Sequence, residues 1–178
     1  MTTHFAFLRG INVGRAKRLA MADLRDVVEE LGHTDVVTYL QSGNVSFAAK
    51  GRASESKLAA ELRTALDERL GMDIDVVVRT RAALQQLVEG NPLREVEAEP
   101  AKLHLVFFDH DLDRKGLAAL DPAAFVPEQF ATAKQALYVY FADGVHRSKL
   151  GAALEKLPGA KGTARNWNTV TLLLERTT

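Results

Sequence analysis

The chain has 178 residues, 47% of them apolar and 26% charged, with 23 basic against 23 acidic side chains and no cysteine. That apolar content is enough to bury a sizeable core without a metal or disulfide staple, and the missing cysteines exclude thiol catalysis, zinc thiolates and disulfides. The balanced charge argues against a protein that grips nucleic acid mainly through phosphates. No stretch has the apolar length needed to span a bilayer. Residues 1–9 read as a first strand rather than a secretory leader, so the expectation is a soluble cytoplasmic protein.

In chain order, His4–Arg9 is aromatic-rich and weakly alternating, the pattern of a strand. A loop runs on to Ala20, and its basic run Arg15-Ala16-Lys17-Arg18 reads as solvated surface. Leu24, Val27, Val28 and Leu31 fall at i, i+3, i+4 and i+7 and predict one buried helix face, which Gly32 ends. Asp35–Leu40 is β-branched and aromatic, Gln41-Ser42-Gly43 is a turn, and Asn44–Ala48 returns as the second strand of a hairpin. Ser54 suits an N-cap for a helix carrying Leu58, Leu62, Leu66 and Leu70, closed by Gly71. Ile74–Arg79 is the next strand. The order β-α-β-β-α-β is the ferredoxin-like one: a four-stranded antiparallel sheet with two helices on one face. Val36-Val37 and Val76-Val77-Val78 show no in–out alternation, whereas a sheet with one wet face alternates. The face away from the helices is therefore expected to be covered, by the second half or by a partner chain.

A short helix around Ala82–Glu89, the breaker Asn91-Pro92 and an acidic stretch to Pro100 read as a connection. The pattern then returns. Leu103–Phe108 is a strand, Asp113–Leu120 a short helix, Phe130–Thr132 and Leu137–Ala142 a hairpin, Lys149–Leu157 a helix, and Gly162–Arg165 a short strand before a final helix marked by Val170, Leu173 and Leu174. The predicted fold is α+β: two ferredoxin-like (βαββαβ) halves packed together, with an appended C-terminal helix. The expected domains are residues 1–80, a connecting helix and linker at 81–101, and a second half at 102–178. No residue-level repeat links the halves, so the duplication reads as one of pattern.

Three polar stretches interrupt this pattern at strand ends: Arg9-Gly10-Ile11-Asn12-Val13-Gly14, Gln41-Ser42-Gly43-Asn44 and Arg165-Asn166-Trp167-Asn168-Thr169. Rigid elements deliver loops, and loops carry chemistry, so the three together suggest one site assembled from distant parts of the chain. The first matches neither standard phosphate-loop fingerprint. Its two glycines either aim backbone N–H groups at an anion beside Arg9 or simply serve a turn. In the second, Gly and Asn are ordinary hairpin residues, and Ser42 lacks a histidine nearby in sequence to act as its base. In the third, Asn166 or Asn168 suits an N-cap, Arg165 adds a bidentate fork, and Trp167 reads as a core plug. Two asparagines exceed what one cap requires. Arg147-Ser148-Lys149 opens another helix, with Ser148 as its cap or the trio as a phosphate clamp. Asp109-His110-Asp111-Leu112-Asp113 offers carboxylates and an imidazole for a divalent cation, or a loop whose last Asp caps the next helix. The five histidines show no zinc-type spacing, so no metal ligand is assigned and no cofactor is named.

The run Leu8–Gly14, with Met21, Leu24 and Gly32, then Thr38-Tyr39-Leu40-Gln41-Ser42-Gly43-Asn44, closely resembles the bacterial domain-of-unknown-function family 1697. Asn91-Pro92, Arg147-Ser148-Lys149-Leu150 and Thr163–Thr169 extend the resemblance to the last helix. It implies two ferredoxin-like halves, brings no established activity, and raises the motif residues from packing toward a shared site. The family continues its first loop with a second glycine and an Asn-Lys pair; here the loop reads Gly14-Arg15-Ala16-Lys17-Arg18, so Lys17 takes the place of the lysine and the double glycine is absent.

The leading expectation is binding of a small anionic ligand, a nucleotide or a phosphorylated metabolite. Arg9 and Arg165 would pair with it while Asn12, Asn44 and Asn168 orient it, with Ser42, Asn166 and Arg147-Ser148-Lys149 as further contacts. The alternative is a phosphoryl- or acyl-transfer enzyme. The third reading is an RNA-binding module, which lacks its aromatic sheet signature here. No membrane partner is expected, and the oligomeric state is open.

Overall fold

The computed structural model describes residues 2–14 and 17–177. Arg15 and Ala16, half of the basic loop cluster, lie outside the described residues. The chain divides into two compact units, Met1–Gln85 with Leu173–Thr178, and Gln86–Leu172.

In the first, β1 (Thr3–Leu8), α1 (Met21–Glu30), β2 (Thr34–Tyr39), β3 (Asn44–Ala48), α2 (Glu55–Leu70) and β4 (Val76–Thr80) follow in that order, and α3 (Arg81–Glu89) comes after β4. The sheet is antiparallel with strand order β2-β3-β1-β4. The expected helix signals work as chemistry. Leu24, Val27 and Val28 of α1 are buried. Ser54 accepts a hydrogen bond from the Lys57 N–H, satisfying a donor at the start of α2. Gly71 takes φ 64°, the left-handed turn that ends α2. Leu58, Leu62 and Leu66 join Ala6, Leu8, Val45, Phe47 and Val78 in one core between helices and sheet.

The opposite sheet face is buried too: Phe5 and Phe7 are fully buried, as is Asn44. Both faces are buried in β1, β3 and β4, although β3 turns the polar Asn44 and Ser46 to the second face, but not in β2. There Val37 is 47% exposed. β2 is an edge strand paired only with β3, and a register shift between Thr34 and Val37 breaks its pairing.

The second unit contains β5 (Leu103–Phe107), α4 (Arg114–Ala118), β6 (Gln129–Ala133), β7 (Ala136–Tyr140), α5 (Lys149–Leu154) and β8 (Thr163–Asn166), followed by α6 (Trp167–Glu175). Its strand order, β6-β7-β5-β8, is that of the first sheet. The fold is α+β with two similar halves and a C-terminal helix. Both inner helices are shorter than their periodicity predicts. Asp113 is not helical but caps α4, accepting from the Gly116 N–H. α5 stops at Leu154 rather than Leu157, because Pro158 disfavours helical geometry in the residue before it and Gly159 turns left-handed at φ 69°.

The structure also corrects the absence of a residue-level repeat. His4 lies opposite Thr80 and Phe5 opposite Arg79; His104 lies opposite Asn166 and Leu105 opposite Arg165. Each histidine bonds through Nδ1 to the carbonyl two residues earlier, at 2.9 Å in His4 and 3.0 Å in His104. Arg79 and Arg165 each donate Nη1 to the preceding carbonyl, at 2.7 and 2.8 Å. The next residue, Thr80 or Asn166, uses its side-chain oxygen to accept the N–H three residues on and so starts α3 or α6.

Candidate functional site

In the first unit, four of the predicted site residues meet at one end of the sheet. Leu8 N–H bonds to Gly43 O at 2.8 Å, which ties the end of β1 to the β2–β3 turn. That turn approaches closely: a Cβ on Gly43 would lie 2.6 Å from Ile11 Cδ1 and 2.8 Å from Leu8 Cβ, and φ is 78°. Asn12 holds the loop leaving β1. Its Nδ2 donates to Leu19 O at 2.8 Å and to Gln41 O at 2.7 Å, and its Oδ1 accepts from Leu19 N–H at 3.0 Å. Both amide hydrogens are thereby engaged, and the residue adopts φ 54°, which asparagine tolerates better than most side chains. Asn44 is fully buried and donates to Tyr39 O and to Ser42 Oγ. These two asparagines hold backbone in place.

Charge gathers around this loop. Arg9 is half-buried and pairs with Asp75 at 3.5 Å. Arg63 bridges Asp73 at 2.7 Å and Asp75 at 3.3 Å. Lys17 Nζ donates to the Asp73 carbonyl, and Arg18 donates to the Gly14 carbonyl at 3.0 Å. Among the described residues these contacts bring together four cations, Arg9, Lys17, Arg18 and Arg63, and two carboxylates. The Arg63 hydrogen bond is the main cause that holds the Asp73 carboxyl below its ordinary range. Arg63, Asp73 and Asp75 were not foreseen as site residues. Asp73 and Asp75, alternating with apolar residues just before the Val76–Val78 run, were the available signal.

The other predicted residues belong to the second unit. Ser148 caps α5, accepting from the Gly151 N–H at 2.7 Å, between exposed Arg147 and Lys149. Arg165 is a buried strand residue, 9% exposed, and burial lowers its guanidinium to about 10, still protonated at neutral pH. Asn166 caps α6 through Thr169, while Asn168 is exposed. Trp167 is buried, donates its backbone N–H to Pro100 O at 3.0 Å and packs against Tyr138. In the Asp109–Asp113 run, His110 lies 2.6 Å from Asp109 Oδ1 and 2.8 Å from Gly159 O. Both partners are acceptors, so the imidazolium satisfies both nitrogens, and the bond to Asp109 is the main cause that raises its pKa. Among the described residues no group of three or more His, Cys, Asp or Glu is placed to hold a metal ion.

A family described as "Protein of unknown function (DUF1697)" matches residues 1–138. The chain belongs to this family. The match takes in the β1 loop, Asn12 and the Ser42–Asn44 turn, and it stops before the Arg147–Leu150 and Thr163–Thr169 stretches. No curated protein matches the chain. Among solved structures, the conserved bacterial protein SP0830 from Streptococcus pneumoniae superposes with a TM-score of 0.77 at 22% identity, covering 99% of this chain and 98% of that one. At that identity the likeness concerns the fold. Among the described residues no helix is long and apolar enough to cross a membrane.

Proposed function

We propose that the protein binds a small anionic ligand, a nucleotide or a phosphorylated metabolite, at the loop following β1. The observation that supports this is the local excess of positive charge among the described residues around this loop. Four cations and two carboxylates are linked around backbone that Asn12 clamps at three points. The chain as a whole is neutral, so this excess is local. Its size, two positive charges, suits a phosphate monoester, which carries about −1.5 to −2 at neutral pH. The Arg9–Asp75 pair does not stand in the way. Both partners are partly exposed, and exchanging such an ion pair for a ligand oxygen sacrifices about 0–1 kcal/mol. In this reading Arg9 and Lys17 contact the anion, and Asn12, Ser42 and Asn44 preorganise the loop. The aromatic residues at the sheet centres, Phe5, Phe7 and Phe107, are fully buried, which favours a small ligand over RNA stacked on a sheet face.

Thermal denaturation in increasing pyrophosphate, AMP and ATP tests this. A ligand at one hundred times its Kd adds about 2.7 kcal/mol to stability. Arg9→Ala and Lys17→Ala should remove most of that gain while each apo protein melts near the wild-type temperature. Equal stabilisation of wild type and both variants would refute the site.

A further inference from the structure

We propose that the second half carries a separate site for an apolar small molecule bearing an amine or another hydrogen-bond-donating head. It lies between the β5–β7–β8 face and the short helices α4 and α5. A cavity of about 470 Å³ opens there, walled by Val106 and Val139 from the strands, Phe141 just after β7, and Leu117 and Leu154 from the helices. Its volume falls in the range of small-molecule pockets, about 300–1,000 Å³.

The repeat explains why the space exists. His4 to Arg79 spans 75 residues, and the equivalent His104 to Arg165 spans 61. The shortening falls mainly on the helices. α1 and α2 have 10 and 16 residues, while α4 and α5 have 5 and 6. The sheet surface is rearranged as well, since the valine and the alanine of one cross-strand pair exchange places. Val78, 1% exposed and paired with Ala6, has as its counterpart Ala164, paired with Val106 and open to the cavity. In the first half long helices fill this layer with buried side chains. In the second, an apolar floor stays without its covering turns, so Val106, Leu112 and Leu157 remain only partly buried. The apolar part of such a wall is better covered by an apolar guest than by water.

The rim selects the head group. Asp113, one of whose oxygens caps α4, and Glu155 contribute two carboxylates to the lining, which also includes His146 and Ser148. Carboxylates accept hydrogen bonds and repel like charge, so an ammonium or other donor is matched there and a fatty-acid carboxylate is opposed. The site is independent of the anion loop of the first half.

The test is a fluorescence titration of the full chain with N-phenyl-1-naphthylamine, an uncharged probe that brightens in apolar surroundings, followed by displacement with dodecylamine and with dodecanoate below their micellar concentrations. Saturable brightening in the micromolar range is expected, with affinity weakened at least tenfold in Ala164→Leu and in Ala152→Leu, which fill the cavity from the strand side and from the helix side. Dodecylamine should displace the probe at least tenfold more effectively than dodecanoate. Thermal melts show that each variant is folded. Absence of saturable brightening in the wild type, wild-type probe affinity in both folded variants, or equal displacement by the two chains would overturn the proposal.

Discussion

Arg79 and Arg165 hold the same place in two different sheets. Each lies opposite the second residue of a His-Phe or His-Leu pair, each donates Nη1 to the carbonyl just before it, and each precedes the residue that caps the following helix. A buried guanidinium is retained where its hydrogen bonds fix a particular backbone geometry. Here that geometry is the exit from the last strand of each half into the appended helix.

Truncation should therefore be harsh at both positions. Arg79→Ala and Arg165→Ala are each expected to lose about 1–3 kcal/mol, since each leaves without its donor the carbonyl that the guanidinium satisfied. Lysine should not rescue either, because it lacks the planar fork. Arg147→Ala, at an exposed position, should stay within about 0.5 kcal/mol. Urea denaturation of these variants beside the wild type gives the comparison. A loss below 1 kcal/mol at both buried positions would mean that the shared register is incidental.

At Asn12 the side chain makes three hydrogen bonds while the backbone sits at φ 54°. Asn12→Ala removes the bonds and keeps the strain, for an expected loss of about 2–4 kcal/mol. Asn12→Gly removes the bonds and relieves the strain, so it should be the milder change. Thermal melts of the two variants order them, and the reverse order would contradict the clamp.

Gly43 adds the second constraint on this end of the sheet. Alanine there would need both a left-handed backbone and room that Ile11 and Leu8 already occupy. Gly43→Ala should lose about 2–4 kcal/mol, whereas Gly14→Ala, where no atom lies within 4 Å of the added Cβ, should lose only the backbone term of about 1–2 kcal/mol. Chemical denaturation distinguishes the two. Equal losses would show that the close approach is relaxed in solution.

Much of this was readable in the sequence. The leucines at every fourth position in α2, with Ser54 and Gly71 at its ends, specify that helix outright, and the β-branched runs mark the strands. The repeat was hidden for a physical reason. Burial tolerates Phe5 against Leu105 and Ser46 against Tyr138, so of the paired positions few beyond the histidine, the arginine and Phe7 with Phe107 persist in kind, and the shorter helices shift any fixed-offset comparison out of register. Asn12 and Asn44 read as ligand contacts because an amide in a glycine-rich loop looks available. In the folded chain Asn12 donates to the Leu19 and Gln41 carbonyls and Asn44 to the Tyr39 carbonyl. Lys17 was visible as the family lysine, but its link to Asp73 depends on two segments meeting that lie far apart along the chain.

Acid should destabilise the protein. Burial lowers the pKa of His33, whose Nδ1 accepts the Lys50 N–H, and burial is also the main cause that lowers that of His104. A base whose folded pKa lies below its unfolded value of about 6.5 binds fewer protons folded than unfolded in between. The stability linked to it is full above about pH 6.5 and is lost as pH falls through the folded pKa. His110 has the opposite sign, its Asp109 pairing being present below about pH 6.5 and lost as pH rises through its raised pKa. That pair is exposed, so its weight is small. Urea midpoints should drop between pH 7.5 and 5.5 in the wild type and flatten in the double variant His33→Asn/His104→Phe. An unchanged pH slope in the double variant would assign the effect to other groups.

Binding at the β1 loop is tested most directly by following backbone amide resonances while pyrophosphate is titrated into the ¹⁵N-labelled chain. The proposal predicts saturable shifts concentrated at Gly10, Gly14, Lys17, Arg18 and Gly43 that vanish in the Arg9→Ala/Lys17→Ala double variant. Shifts centred elsewhere, or the same shifts in the double variant, would contradict it.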